Sequence, residues 1–463
     1  MTLHSSIQPI WFEQALARET DYKQTALVGD IACDVCIIGG GYTGLWTALM
    51  LQEQQRDLDI VVIEKSLCGS GASGRNGGCM LTWSTKFIAL KRLFGEAEAC
   101  RLVKASEQAL FHIRDFCGAN GIDAEVRLDG VLQTATNSAQ IGALDAVIEQ
   151  LSACGLNNWQ SWDRAQASKG GGSKRHLAGY QSPIGGSLQP GFLVRGLRRV
   201  ALARNIRVFE NTPMQSLEHV SSPRVITADG SVSSRKVVLA LNAWMPTLFP
   251  SLARTVMLIS SDMVITPPAA EQVADIGLVD GQAVVDSRSF VIYYRTTPDG
   301  RLMLGKGGNF FAFGNRVHPM FDQSSGIEAR LSATVSNFFP ALSSLGIERS
   351  WTGPSDRSAT GLPFFGHLNG NSDIVFGFGY SGNGVGQSYV GAQFLTALVL
   401  EQDNEWTRSG MARGPIGAFP PEPLRWIGAN IVKGAINRKE RAEDRNELPT
   451  LIDHRLASLA THI

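Results

Sequence analysis

The chain has no excess of one charge: 42 Lys and Arg stand against 42 Asp and Glu. A nucleic-acid binder needs a basic excess to displace counterions from phosphates, so that class is excluded. A small anionic ligand, which needs only local charge, is not. No apolar run reaches the ~18 residues of a membrane-spanning helix. Met1 to Asp21 carries charges and no apolar core stretch, which is not the pattern of a secretory leader. Cysteine is scarce and one-sided. All seven (Cys33, Cys36, Cys68, Cys79, Cys100, Cys117, Cys154) lie in the first third. An odd number without framework spacing argues against a disulfide scaffold and for reduced thiols in a cytoplasmic protein. Cys33-Asp34-Val35-Cys36 has redox-motif spacing, but it falls on a strand expected to be buried. The eight histidines form no metal-ligand spacing with cysteines or with one another, so no metal is expected.

Glycine is abundant, with 49 residues in 463, well above the usual ~7 %. Its most ordered cluster is Cys36-Ile37-Ile38-Gly39-Gly40-Gly41-Tyr42-Thr43-Gly44. An apolar strand enters Gly-x-Gly-x-x-Gly, an apolar helix follows, and Ile60-Val61-Val62-Ile63 ends in Glu64 about 20 residues on. This is the dinucleotide-binding βαβ pattern. Gly39 permits the tight turn, Gly41 lets backbone approach a pyrophosphate, and Gly44 lets the helix pack on the strand. The helix start at Tyr42 and Thr43 offers free N–H groups and a positive dipole end to phosphate. Glu64, followed by Lys65, can accept from ribose hydroxyls and would repel a 2′-phosphate.

The next segment decides between two dinucleotides. An NAD domain normally continues into another helix. Here Gly69-Ser70-Gly71-Ala72-Ser73-Gly74-Arg75-Asn76-Gly77-Gly78 follows, with almost no side-chain bulk, so it can lie flat along an extended ligand. Far downstream, Ile374-Val375-Phe376-Gly377-Phe378-Gly379 reads as a strand. Tyr380-Ser381-Gly382-Asn383-Gly384-Val385-Gly386 reads as a turn and helix start, with Ala392, Leu395, Leu398 and Val399 at helical spacing. A second helix N-terminus would then face the ligand and favour negative charge on it.

On these three signatures the chain resembles the FAD-dependent amine and amino-acid oxidoreductases of the D-amino-acid oxidase group, from Asp34 to about Leu400. Ser73-Gly74-Arg75-Asn76-Gly77-Gly78, Tyr293-Tyr294-Arg295, Asp299-Gly300-Arg301-Leu302 and Gly361-Leu362-Pro363 are similar to the γ-glutamylputrescine oxidase and aminophosphonate oxidoreductase branch. The resemblance implies FAD, bound non-covalently because the Gly377–Gly386 turn has neither cysteine nor histidine. It implies an adenine contact at Met214. The fold class is α/β: a Rossmann-type FAD domain assembled from 30–120, 185–245 and 345–400. Interleaved with it is a sheet-based substrate domain from 121–184 and 246–344. A buried strand is read at Val237–Trp244. The tail 401–463 is read as helical from Leu424. One face carries Leu424, Ile427, Ile431, Val432, Ala435 and Ile436, for docking on the body or for weak membrane contact.

The implied reaction is oxidation of a C–N bond in a small amine. Hydride passes to flavin N5, the imine hydrolyses to an aldehyde, and O2 or another acceptor takes the electrons. Two departures from the group bear on substrate. In the glycine and D-amino-acid oxidase branches an arginine grips the substrate carboxylate; its place here falls on Ser355. Arg357 lies two residues on, on the same side of an extended chain and about 7 Å along it. A simple α-amino acid is therefore disfavoured. An amine with a distant anion is favoured: an aminoalkylphosphonate such as 2-aminoethylphosphonate, its N-methyl form, or a γ-glutamyl polyamine. In the sarcosine oxidase branch a lysine in Leu-Lys-Leu-Gly serves oxygen. Here the stretch is Leu302-Met303-Leu304-Gly305, and Lys306 follows. Three roles are open to Lys306: at the flavin as the one candidate catalytic residue, on a substrate anion, or in solvent. Trp83, Ser84 and Tyr294 are further pocket candidates, with plain core roles equally open. A flavin-holding or electron-transfer subunit without amine chemistry of its own is the rival reading.

Overall fold

The computed structural model describes residues 8–19, 25–219 and 221–461. Met1 to Ile7, within the stretch that lacks a leader pattern, and 20–24 lie outside the described residues. Two eight-stranded sheets carry the described chain. In the first, the order is Phe364–His367, Ile374–Phe378, Gly230–Leu239, Gly29–Ile38, Ile60–Ile63, Arg207–Phe209, with Ser216–His219 and Pro223–Ile226 attached at the side. Its centre is parallel: Ile37 stands opposite Val62 on one side and Val238 on the other. These strands read as unbroken apolar runs because both faces are covered, one by helices and the other by Val225 of the side strands and the segment from Ala243 to Leu258. Val35, Ile37, Val62 and Val238 face one core, while Cys36, Ile38, Val61 and Leu239 face the other. Helix Tyr42–Gln54 is buried all round from Gly44 to Leu49 and packs between helices Gln387–Val399 and Pro190–Ala203. It therefore lacks the one-sided pattern of a surface helix.

The second sheet runs Arg349–Ser358, Val256–Ile265, Leu302–Phe311, Ile292–Thr296, Ala283–Asp286, Val131–Ala135, Ala178–Ser182, Gln160–Trp162. Strand Arg349–Ser358 corrects one expected boundary. Its residues were assigned to the FAD segments, yet it pairs along its whole length with Val256–Ile265. An isolated bridge from Arg357 to Tyr380 is its link to the first sheet's downstream turn. The strand expected at Val237–Trp244 also differs. It begins at Gly230 and ends at Leu239, and Asn242–Trp244 forms a short 3-10 turn.

The tail folds as two helices, Leu424–Asp444 and Leu451–Thr461. Ala435 and Ile436 are buried against the body, and Val432 is partly so. Leu424, Ile427 and Ile431, expected on that face, point outward. The apolar residues spread over more than the narrow stripe one packed face can hide. Among the described residues no helix is long and apolar enough to cross a membrane.

Candidate active site

A single long cavity of about 1040 Å3 runs from the carboxyl ends of the first sheet's strands to the second sheet. Small-molecule pockets typically measure about 300–1,000 Å3, so this one suits an extended ligand. At one end Glu64, Lys65, Thr212, Pro213 and Met214 line it. Glu64 is held by the backbone N–H of Gly40 at 2.9 Å and of Ser66 at 3.0 Å. Burial raises its pKa against those two hydrogen bonds. Lys65 lies 4.5 Å over the Trp244 ring.

Further along, Gly39, Gly41, Tyr42 and Thr43 border the cavity at the start of helix Tyr42–Gln54. Gly39 takes φ +114°, and a Cβ there would come within 2.4 Å of the Ala240 carbonyl oxygen. Gly44 lies behind the wall; a Cβ would sit 2.0 Å from the Gly39 carbonyl oxygen, so its role is helix packing. The glycine-rich segment is not simply flat. Ala72–Arg75 winds into one helical turn. The Ser73 hydroxyl accepts from Tyr42 N–H at 2.9 Å. Asn76 closes the turn, donating to the Ala72 and Ser73 carbonyls and accepting from Gly78 N–H. Arg75 spans the two sheets' territories. It donates to the Ser70 carbonyl at 2.8 Å and the Phe321 carbonyl at 2.7 Å, and pairs with Asp322 at 2.9 Å. Gly71, Ala72, Ser73, Arg75, Asn76, Gly77 and Gly78 all border the cavity, while Gly74 packs against Phe12 and the Gly69 carbonyl.

At the second sheet the wall is made by Tyr293, Ser261, Met263, Gly353, Ser355 and Arg357, facing the turn Gly382-Asn383-Gly384-Val385. The helix after that turn begins at Gln387, so the turn, more than the helix end, forms the wall. Asp356 fastens it by accepting from Gly379 N–H. Burial raises the Asp356 carboxyl to about 7. Ser355 and Arg357 share a face, as strand alternation demands. Beside Arg357 stands Lys86, at the end of the 3-10 turn Ser84–Lys86. Burial, and then the Arg357 charge, lower Lys86 to about 8.

Four residues considered for the pocket stand elsewhere. Trp83 is a core side chain, 1 % exposed, and Ser84 is buried beside it with its hydroxyl near Thr82. Tyr294 points into the second sheet's core, hydrogen-bonded to His176 at 2.6 Å and the Gly171 carbonyl. Its neighbour Tyr293 takes the cavity face, with its hydroxyl 3.1 Å from Ser261 Oγ. Lys306 is buried on the reverse face, donating to the Phe290 carbonyl at 2.7 Å, and burial lowers its pKa. Tyr293 stands opposite Gly305, where its ring fills the space above the glycine. The next residue must then point behind the sheet. Lys306 is neither a solvent lysine nor part of the cavity wall. Sequence reasoning missed Lys86, Tyr293 and Asp356. For Tyr293 the doublet Tyr293-Tyr294 was the available signal; for Lys86 there was none.

Residues 34–398 match the family described as FAD dependent oxidoreductase. The gamma-glutamylputrescine oxidoreductase of Escherichia coli (strain K12) is 29 % identical over 371 residues, 80 % of this chain and 84 % of that protein. The "Probable oxidoreductase OrdL" of Haemophilus influenzae is 27 % identical, covering 84 % of this chain and 87 % of that one. In three dimensions the glycine oxidase of Geobacillus kaustophilus superposes with a TM-score of 0.68 at 19 % identity, over 83 % of this chain and 100 % of its own.

Proposed function

Because the chain belongs to the FAD-dependent oxidoreductase family, with FAD as its cofactor and C–N bonds as its chemistry, we propose that it oxidises a small amine carrying a distal anion. The observation that carries this reading is that two cationic side chains, Arg357 and Lys86, both line the cavity together with Ser355 and the Gly382–Val385 turn. Bound FAD supplies the hydride acceptor. The residues present fit it: Glu64 with two oxygens held by backbone, the helix start at Tyr42, and a cavity wall of bare backbone at Gly39 and Gly41, where a Cβ would strike the Ala240 carbonyl oxygen or the Ser73 hydroxyl. What this chain's side chains add is orientation. Arg357 and Lys86 fix the anion, which sets how far the amine carbon reaches toward Tyr293 and Gly77. Of the substrates read from sequence, the phosphonate carries more negative charge than a carboxylate and suits two cations better than a γ-glutamyl group. Lys306, behind the sheet, holds no step. We place the enzyme in the cytoplasm, where its free thiols remain reduced.

The direct test is anaerobic addition of amines to the yellow protein. Bleaching by 2-aminoethylphosphonate or its N-methyl form, with little by glycine or D-alanine, is the expected result. A flavin that no anionic amine bleaches in the absence of a partner protein overturns the proposal.

Two expectations concern the cofactor. Glu64→Ala removes a charge-assisted hydrogen bond worth roughly 1.5–3 kcal/mol, so FAD should bind about 10- to 150-fold more weakly while the fold survives. An unchanged dissociation constant in flavin-release titrations removes the ribose role. FAD should also be non-covalent. Cys79 borders the cavity, but burial raises its thiol to about 11, leaving it protonated and a poor nucleophile at neutral pH. Acid precipitation should leave all yellow colour in the supernatant.

A further inference from the structure

The tail beyond residue 398 lies outside the family match, yet it reaches the cavity. Ala460, near the end of the last helix, is part of the cavity wall, as are Ile259 and Phe290. Those two residues belong to one apolar cluster with Phe311, Ile436 and Ala457, the last two supplied by the tail and each at most 2 % exposed. The loop Ser287-Arg288-Ser289-Phe290-Val291 forms the adjoining wall, and the tail holds it. Arg288 pairs with Asp444 at 2.6 Å and with Asp286 at 2.8 Å. Asp444 also accepts from Asn137 at 2.9 Å. Arg438 and Asp453, at 2.7 Å, tie the two tail helices together.

We propose that the helical pair Leu424–Asp444 and Leu451–Thr461 is the outer wall of the substrate end of the cavity and sets the length of amine it admits. The pair acts in two ways. It braces the 287–291 loop from behind through Arg288 and Phe290, and it closes the remaining gap with a small residue, Ala460. A larger side chain at 460 shortens the chamber. Removal of the last helix leaves Ile259 and Phe290 facing solvent and opens the chamber. The length limit rests on the amine reading given above; the wall itself does not.

The test uses the holoenzyme and two variants. Ala460→Trp intrudes into the chamber, and overpacking of about 1–3 kcal/mol converts to a rise of roughly 5- to 150-fold in KM for the longest anionic amine turned over. The shortest should be unaffected. Truncation after residue 446 removes Leu451–Thr461 and should raise iodide quenching of the flavin fluorescence severalfold while admitting longer amines. If truncation does not fold, the Ala460→Trp length series decides alone. Equal KM changes for all lengths, or none, together with unchanged iodide access, overturn the wall. Increased iodide access in a protein that no amine bleaches would keep the wall and discard the amine reading.

Discussion

Glu210→Ala should cost the protein about 3–5 kcal/mol, the usual loss when one partner of a buried ion pair is removed. Glu210 is 0 % exposed. Its carboxylate pairs with Arg195 at 2.6 Å and Arg198 at 3.0 Å, both on helix Pro190–Ala203, and accepts from Cys68 N–H at 2.6 Å. Taking the carboxylate away leaves two guanidiniums in a low-dielectric place and an orphaned N–H. Arg195 keeps Glu19, at 2.5 Å, while Arg198 loses its bond to Glu210. The magnitude corresponds to a melting temperature lower by about 6–20 °C for a cooperative unit of 150–250 residues. FAD should weaken too, because Cys68 leads directly into the cofactor loop. Glu210→Gln keeps acceptor geometry without charge and should fall between. Melting of Glu210→Ala within a degree of wild type would mean that the cluster relaxes or hydrates at little cost.

Arg357→Met should lower kcat/KM for an anionic amine about 10- to 150-fold, the worth of a hydrogen bond to a charged group at roughly 1.5–3 kcal/mol. A neutral amine of similar length should change far less. Lys86→Met should act in the same direction, and Lys86 adds a pH dependence. Its folded value near 8 lies below the ordinary lysine value. The ammonium is therefore present below pH about 8 and lost above it, so anion recognition fails on the alkaline side. The substrate amine ionises oppositely, giving more neutral amine as pH rises. The ratio of kcat/KM for the anionic and neutral amines cancels that common contribution. This ratio should fall through pH about 8 in the wild type and stay level in Lys86→Arg, whose guanidinium remains charged. A flat ratio in both proteins would remove Lys86 from the anion site. Equal losses for both amines in Arg357→Met would make Arg357 a residue of the cavity's shape.

Local constraints made much of the cofactor end legible. Gly39, Gly41 and Glu64 are demanded by a turn, a close approach and a strand end within about thirty residues, and chain order alone brings them together. The substrate end depends on which face of a strand looks inward. The doublet Tyr293-Tyr294 has two aromatic residues of equal β-propensity, and only pairing with Gly305 decides that Tyr293 lines the cavity. The same register turns Lys306 away. Lys86 was hidden for another reason. A lysine at a helix start is ordinarily solvated, and its neighbour Arg357 is 271 positions distant in sequence (357 minus 86). Strand Arg349–Ser358 was misplaced because its composition suits either sheet, and long-range pairing settled it.

The interleaving of the two sheets also governs how the chain must be made. The central strand Gly29–Ile38 acquires its partner Gly230–Leu239 some two hundred residues later, and that strand waits again for Ile374–Phe378. At a ribosomal rate of about 5–20 residues per second, the first wait alone is about 10–40 s. Throughout it an apolar strand presents one open edge, the template for unwanted pairing. Parallel, distant pairings also close slowly once available. Nascent-chain protection and slow, cool expression should therefore govern the yield of native enzyme more than the stability of the finished fold.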